Sequence, residues 1–404
     1  MDATSEALTG PPLQSQSQSQ PLTRRGLLLS AGGAAATTAL TAGLATGAAD
    51  AADAAEAPPT AFPLHLPDMP LRDPFVVADA ASGLYHLFVT NAPTLSGTPG
   101  AGTMVYRSRN LRDWSAPLAV FTPTPDLWAS RGAWAPEVHR WKGRWYLLTT
   151  LHDTTKPLPL PQAGDLGIPV QIPQHRRGTV IAVSDSLLGP FTVVDPTRPV
   201  APPSFMTLDG TLFKDDRGRP WMVYAHEWIQ KIDGTVEAVR LKDDLSGPVG
   251  KPIHLFKGSD ATWLGEEMPA PSANQILPYV TDGPELIRLP GGALAMLWST
   301  FEKNTNSTNG VVNGGYVQTL AVSPSGRLHG PWLQKRPLVR RGTGHGMSFR
   351  MFPGTKTAKK EAARKRLLIA HHGGKATRAN IWELELRRDG LRLGKQRHDL
   401  DGTK

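Results

Sequence analysis

The chain of 404 residues contains no cysteine. Disulfides and thiolate metal sites are therefore excluded, whereas export is not, because a large core needs no covalent staple. Long apolar runs are scarce too. The one stretch that nears spanning length follows Arg24-Arg25 and ends near Ala45, and it is too rich in Ala, Gly and Thr for a stable membrane helix. Beyond it, helical periodicity is almost missing. Aromatic residues make up only 7% of the chain, yet they gather in short alternating runs, and 40 Gly and 37 Pro supply the turns that would separate such runs.

Residues 1–56 read as an export segment. A polar leader ends in Thr23-Arg24-Arg25-Gly26-Leu27-Leu28-Leu29, a weakly apolar run follows, and small residues suited to cleavage lie between Ala45 and Ala57. Paired arginines ahead of a weakly hydrophobic core resemble a twin-arginine signal. The expectation is a secreted protein whose mature part, residues 57–404, is a single soluble domain with no membrane attachment. Taking two arginines and five acids away with residues 1–56 leaves 42 basic and 30 acidic residues, a net charge of +12. Such a surface suits an acidic partner. However, the densest basic run, Lys356 to Arg366, falls where a hairpin should turn and reads as a solvated loop. No nucleic-acid motif accompanies it, so nucleic acid is not expected as a partner, and a monomer is.

Five short openings recur along the rest of the chain: Arg72-Asp73-Pro74-Phe75, Trp134-Ala135-Pro136-Glu137, Leu208-Asp209-Gly210-Thr211, Thr281-Asp282-Gly283-Pro284 and Gly344-His345-Gly346-Met347. Counted from Asp73 through Trp134, Asp209, Asp282 and His345, the intervals are 61, 75, 73 and 63 residues by subtraction. Each opening leads into an apolar run, a Gly-containing turn and a second run rich in Tyr, Trp, Val and Leu. Four short strands per unit, repeated five times, predict an all-β, five-bladed β-propeller. Innermost strands of a propeller converge on its axis, so carboxylates far apart in sequence can share one pocket. A lone Asp before Gly or Pro is ordinarily a turn or strand cap, and only the recurrence at matching blade positions lifts these three above that.

With these motifs the chain resembles glycoside hydrolase family 43, the five-bladed propeller arabinanases, arabinofuranosidases and xylosidases, over residues 65–390. The resemblance implies an exported glycosidase that cleaves arabinosyl or xylosyl linkages of a plant cell-wall polysaccharide or oligosaccharide by an inverting acid/base mechanism. In that mechanism two carboxyl groups flank the bond at roughly 6.5–9.5 Å, leaving room for water, and a third carboxylate raises the acid's proton affinity by like-charge repulsion. Position by position, the general base falls on Asp73, the orienting carboxylate on Asp209 and the general acid on Asp282. The last departs from the family pattern, where glutamate stands, and is shorter by a methylene. Glu285 and Glu227 are alternative acids, although Pro284-Glu285-Leu286 parallels Pro136-Glu137-Val138 and so suggests that Glu285 braces its blade.

Trp134 and Trp228 are the candidate sugar platforms, while Trp221, Trp298 and Trp382 read as core. No cofactor is required. A calcium or other ion in the central channel would have His345 as its neighbour, against the alternative that His345 bonds the catalytic carboxylates; calcium prefers oxygen ligands. His226, His371 and His372 read as rim or turn residues. Two other readings stay open: a non-catalytic glycan-binding propeller, suggested by the missing acid glutamate, and a related glycosidase acting on another sugar such as galactose.

Overall fold

The computed structural model describes residues 59, 61–159, 173–231, 233–264, 280–304, 312–352, 365–373 and 377–402. The expected export segment, the basic run at 356–364 and most of the two loops at 156–174 and 260–279 lie outside them. Among the described residues no helix is long and apolar enough to cross a membrane.

Among the described residues twenty strands form five antiparallel four-stranded units. Blade one is β1 (Phe75–Asp79), β2 (Leu84–Thr90), β3 (Thr103–Ser108) and β4 (Leu118–Phe121); blade two is β5 (Arg131–Trp141), β6 (Arg144–Pro157), β7 (His175–Ser184) and β8 (Thr192–Val193). Blade three comprises β9 (Thr207–Lys214), β10 (Pro220–His226), β11 (Thr235–Leu241) and β12 (Pro248–Lys257). Blade four comprises β13 (Asp282–Arg288), β14 (Leu294–Asn304), β15 (Val312–Ser323) and β16 (Leu333–Val339), and blade five β17 (Thr343–Phe349), β18 (Lys365–His372), β19 (Arg378–Leu386) and β20 (Leu391–Gln396). A single parallel pairing, Val317 with Thr343, stitches blades four and five into one sheet. This is the five-bladed propeller that the repeated openings predict.

The apolar runs become second strands such as Leu84–Thr90, buried along nearly their whole length because a neighbouring blade covers each face. The core accordingly lies between blades. Tyr146, Leu148 and Ile181 of blade two meet Met222 and Tyr224 of blade three, and Leu297 and Leu320 of blade four meet Leu368 and Trp382 of blade five. Trp221, Trp298 and Trp382 are buried, as expected. The ring closes where the segment before β1 meets blade five: the Leu71 N–H donates to Thr377 O at 3.1 Å, and Arg378 Nε donates to Pro67 O at 2.7 Å.

The openings themselves need a small correction of register. Asp73, Ala135, Asp209, Gly283 and His345 all take left-handed backbone conformations, with φ of 49°, 45°, 56°, 51° and 47°. Their spacing is 62, 74, 74 and 62 residues by subtraction, more regular than the spacing first counted. Trp134 and Asp282 therefore stand one residue before the matching position. Four of the five are not glycine, so each stores about 1 kcal/mol or more of backbone strain.

Candidate active site

What holds these strained openings is a recurrent bond from the preceding blade. The second strand of each blade ends beside the axis, where its side chain meets the next opening. Thr150 Oγ1 accepts the Asp209 N–H at 3.0 Å, Ser299 Oγ accepts the His345 N–H at 2.7 Å, and His371 Nδ1 lies 3.2 Å from the Asp73 N–H. Blades one and three depart from the series: Thr90 Oγ1 donates to Ala133 O at 3.0 Å in blade one, and Ala225 occupies that place in blade three, paired with Leu208 as Ser299 is with Asp282. There the Asp209 carboxylate accepts the Gly283 N–H at 3.1 Å. Asp209 thus fixes the backbone directly after Asp282. Gly283 also has to be glycine, since a Cβ would come within 2.8 Å of the His345 ring.

The three aspartates do converge. His345 Nδ1 lies 3.3 Å from Asp73 Oδ1 and 3.7 Å from Asp209 Oδ2, so one imidazole sits between the two carboxylates. His371 Nδ1 is 3.1 Å from Asp73 Oδ1, and Arg72 Nε 3.7 Å from Oδ2. Burial alone would push the Asp73 carboxyl up, but the charges of His345, His371 and Arg72 outweigh it and hold the group well below the usual carboxylate range. Asp209 shows the reverse. Burial, and then the like charge of Asp73, push it well above the ordinary value. Asp282 accepts a hydrogen bond from the Tyr316 hydroxyl at 2.9 Å, and burial with the charge of Asp209 pushes it up to about 8. One depressed and two raised carboxyls in one pocket is the separation that acid/base chemistry requires.

The two alternative acids are engaged elsewhere. Both oxygens of Glu285 are taken by Ser348 of blade five, Oε2 by its N–H at 2.8 Å and Oε1 by its hydroxyl at 3.1 Å. Burial still pushes the group up to about 7. It ties blade four to blade five along an axial cavity that it lines with Asp73, His345, Pro136, Glu137 and Met347. Glu227 forms an ion pair with Arg177, buried at both ends. Its charge reaches Asp209 and Asp282 but ranks behind burial and the nearer aspartate in raising them.

The guanidinium of Arg177 lies over the Trp134 ring, 4.9 Å from its centroid, and the His152 ring is 4.6 Å from the same indole. Trp134 is thus part of a packed rim. Trp228 opens α1, the one-turn helix Trp228–Lys231, and is half-buried. Among the described residues no ring contact or hydrogen bond joins it to the carboxylates.

His345 is committed to the carboxylates. Among the described residues no group of three or more His, Asp or Glu side chains is placed to hold a metal ion. His371, read from sequence as a rim or turn residue, instead contacts Asp73; His226 is buried against Glu237 and Gln230. Tyr316, His371, Arg177 and His152 are the residues that sequence reasoning missed. His152 and Arg177 sit on parts of β6 and β7 that extend past the expected apolar runs at Trp145–Leu148 and Val180–Val183, and Tyr316 sits on β15, beyond the expected run at Ala295–Trp298 on β14. A polar residue on a long hairpin bordering a loop was the available signal.

Comparison with known proteins agrees with this geometry. A family model described as glycosyl hydrolases family 43 matches residues 68–396. An endo-arabinase from Bacteroides thetaiotaomicron is 32% identical, with a TM-score of 0.63 over 79% of this chain and 96% of that one. A thermostable family-43 glycoside hydrolase is 19% identical, with a TM-score of 0.58 over 81% and 94% of the two chains. An endo-1,4-beta-xylanase from Bacteroides thetaiotaomicron is 20% identical, with a TM-score of 0.56 over 81% and 95%. A search of curated proteins finds no match. With a propeller of five blades, buried acids gathered at its axis and a family match over most of its length, the chain belongs to glycoside hydrolase family 43 and is a glycosidase.

Proposed function

We propose that the protein is a secreted hydrolase of arabinosyl linkages in plant cell-wall polysaccharide, with xylosyl linkages as the second substrate class. Asp73 acts as general base, Asp282 as general acid and Asp209 as the carboxylate that orients and tunes the acid. The observation that carries the assignment is the convergence of the three aspartates, with His345 Nδ1 3.3 Å from Asp73 and 3.7 Å from Asp209, and the Asp209 carboxylate on the Gly283 N–H directly after Asp282. The arabinan preference rests on the 32%-identical endo-arabinase. Secretion rests on the Arg24-Arg25 leader.

In an inverting displacement, Asp73 takes a proton from water as the water oxygen bonds to the anomeric carbon, and Asp282 gives its proton to the departing glycosidic oxygen. The proton shared by the raised pair belongs on Asp282. Asp209 accepts the Gly283 N–H, a contact that favours its ionised form. An ionised Asp209 in turn keeps Asp282 protonated. The base is ionised throughout the neutral range, and the acid must keep its proton. Activity should therefore persist through neutral pH and fall as pH rises through about 8. Trp134 with Arg177 is assigned to the wall beside the sugar.

The test is incubation of the purified protein with linear arabinan, xylan and galactan, following released reducing sugar and the anomer first formed by NMR. The expected result is release from arabinan with inverted configuration. Release from galactan alone, or retained configuration, would overturn the reading.

A further inference from the structure

Asp282 is a methylene shorter than the glutamate of the family pattern, so its reach and orientation depend on what grips it. Its recorded hydrogen-bond donor is the Tyr316 hydroxyl, 2.9 Å from Oδ2. The tyrosine is itself held on several sides. Its ring stacks on His371 with centroids 5.6 Å apart and planes 17° apart, and packs against Phe301 at 5.0 Å. At Gly344 a Cβ would come within 2.5 Å of the Tyr316 ring, so the blade-five opening leaves just enough room for it. His371 in turn lies 3.1 Å from the Asp73 carboxylate. One tyrosine therefore touches the acid through its hydroxyl and the base through the histidine beneath its ring.

We propose that Tyr316 is a positioning residue that compensates for the short side chain of Asp282. This rests on the assignment of Asp282 as general acid. By donating to Oδ2, Tyr316 fixes the carboxyl plane and leaves Oδ1 to carry the transferable proton. The hydroxyl remains a donor throughout, because burial, and then the charges of Asp282, Asp73 and Asp209, hold its own proton more tightly than usual. A hydrogen bond to the carboxylate favours its ionised form, so Tyr316 also limits how far burial raises the acid. Tyr316 is thus not the acid, but it sets both where the acid's proton sits and at what pH that proton is lost.

The experiment compares Tyr316→Phe and 3,5-difluorotyrosine at position 316 with the unaltered protein on linear arabinan, recording kcat, KM and the pH profile. Tyr316→Phe loses one charge-assisted hydrogen bond and is expected to lower kcat by roughly tenfold or more with KM little changed. The alkaline limb should move up by about one pH unit as the ionised carboxylate loses its donor. The fluorinated side chain keeps the shape but donates more strongly, so its limb should move down. It serves as the test if Tyr316→Phe does not fold. Limbs unmoved in both proteins, or a change confined to KM, would overturn the proposal. Asp282→Asn separates the two levels. If it is inactive while the limbs stay put, only the role of Tyr316 fails; if it remains active, the acid assignment fails and takes this inference with it.

Discussion

Asp282 and Glu285 lie three residues apart on β13, both half-buried, and loss of solvent raises their proton affinities to about 8 and about 7. They differ in what their oxygens meet. Both oxygens of Glu285 are occupied by Ser348 of the next blade. Asp282 has Tyr316 on Oδ2 and the charge of Asp209 behind it. A raised proton affinity thus marks a desolvated carboxyl without saying what it is for. An oxygen with no hydrogen-bond partner among the described residues, and the neighbouring carboxylate, make the distinction. Glu137, the counterpart of Glu285 in blade two, is also engaged, but within its own strand, with His139 Nε2 2.8 Å from its carboxylate.

The contrast between carboxyls that react and carboxyls that brace can be broken in several places. The largest effect is expected at Asp73→Asn, which removes the base and should lower kcat on linear arabinan by roughly 10²–10⁴-fold with the fold intact. Near-full activity would move Asp73 to the bracing group. Next, Arg177→Ala leaves Glu227 buried without its cation. It should destabilise the protein by about 3–5 kcal/mol in a denaturant titration, and adding Glu227→Gln should recover part of that loss. An Arg177→Ala protein as stable as the parent would show that the pair is not a brace.

Glu285→Gln sharpens the comparison through pH. The folded protein binds the Glu285 proton more tightly than the unfolded chain, so this group makes stability fall as pH rises from 4.5 to about 7. In the Gln variant, Tm measured across that window should lose this component of its decline. An unchanged slope would mean that Glu285 is not protonated there. The smallest effect is expected for Ala225→Ser, which restores the hydroxyl found in blades two and four. It should compete for the Gly283 N–H, raise the proton affinity of Asp209 and so weaken its repulsion of Asp282. A slight downward shift of the alkaline limb checks this, and an upward shift would contradict it.

Much of this was legible from sequence because the propeller repeats its punctuation. The Asp73-Pro74, Ala135-Pro136, Asp209-Gly210, Gly283-Pro284 and His345-Gly346 pairs announced five openings and placed three aspartates at one axis. The register slipped by one residue at Trp134 and Asp282, since tryptophan and aspartate stand out in a string of letters whereas backbone handedness does not. Tyr316, His371 and Arg177 were illegible for another reason. They act through partners 34, 298 and 50 residues away, which no local pattern names. The brace at Glu285 could be read because blade two carries the same Pro-Glu pair.

The most direct test of the account is kcat/KM on linear arabinan for Asp282→Asn beside Glu285→Gln, both measured below the pH at which Asp282 ionises. The account predicts that Asp282→Asn loses roughly 10²–10⁴-fold while Glu285→Gln stays within a few-fold of the parent. The reverse pattern, with Asp282→Asn active and Glu285→Gln silent, would contradict it.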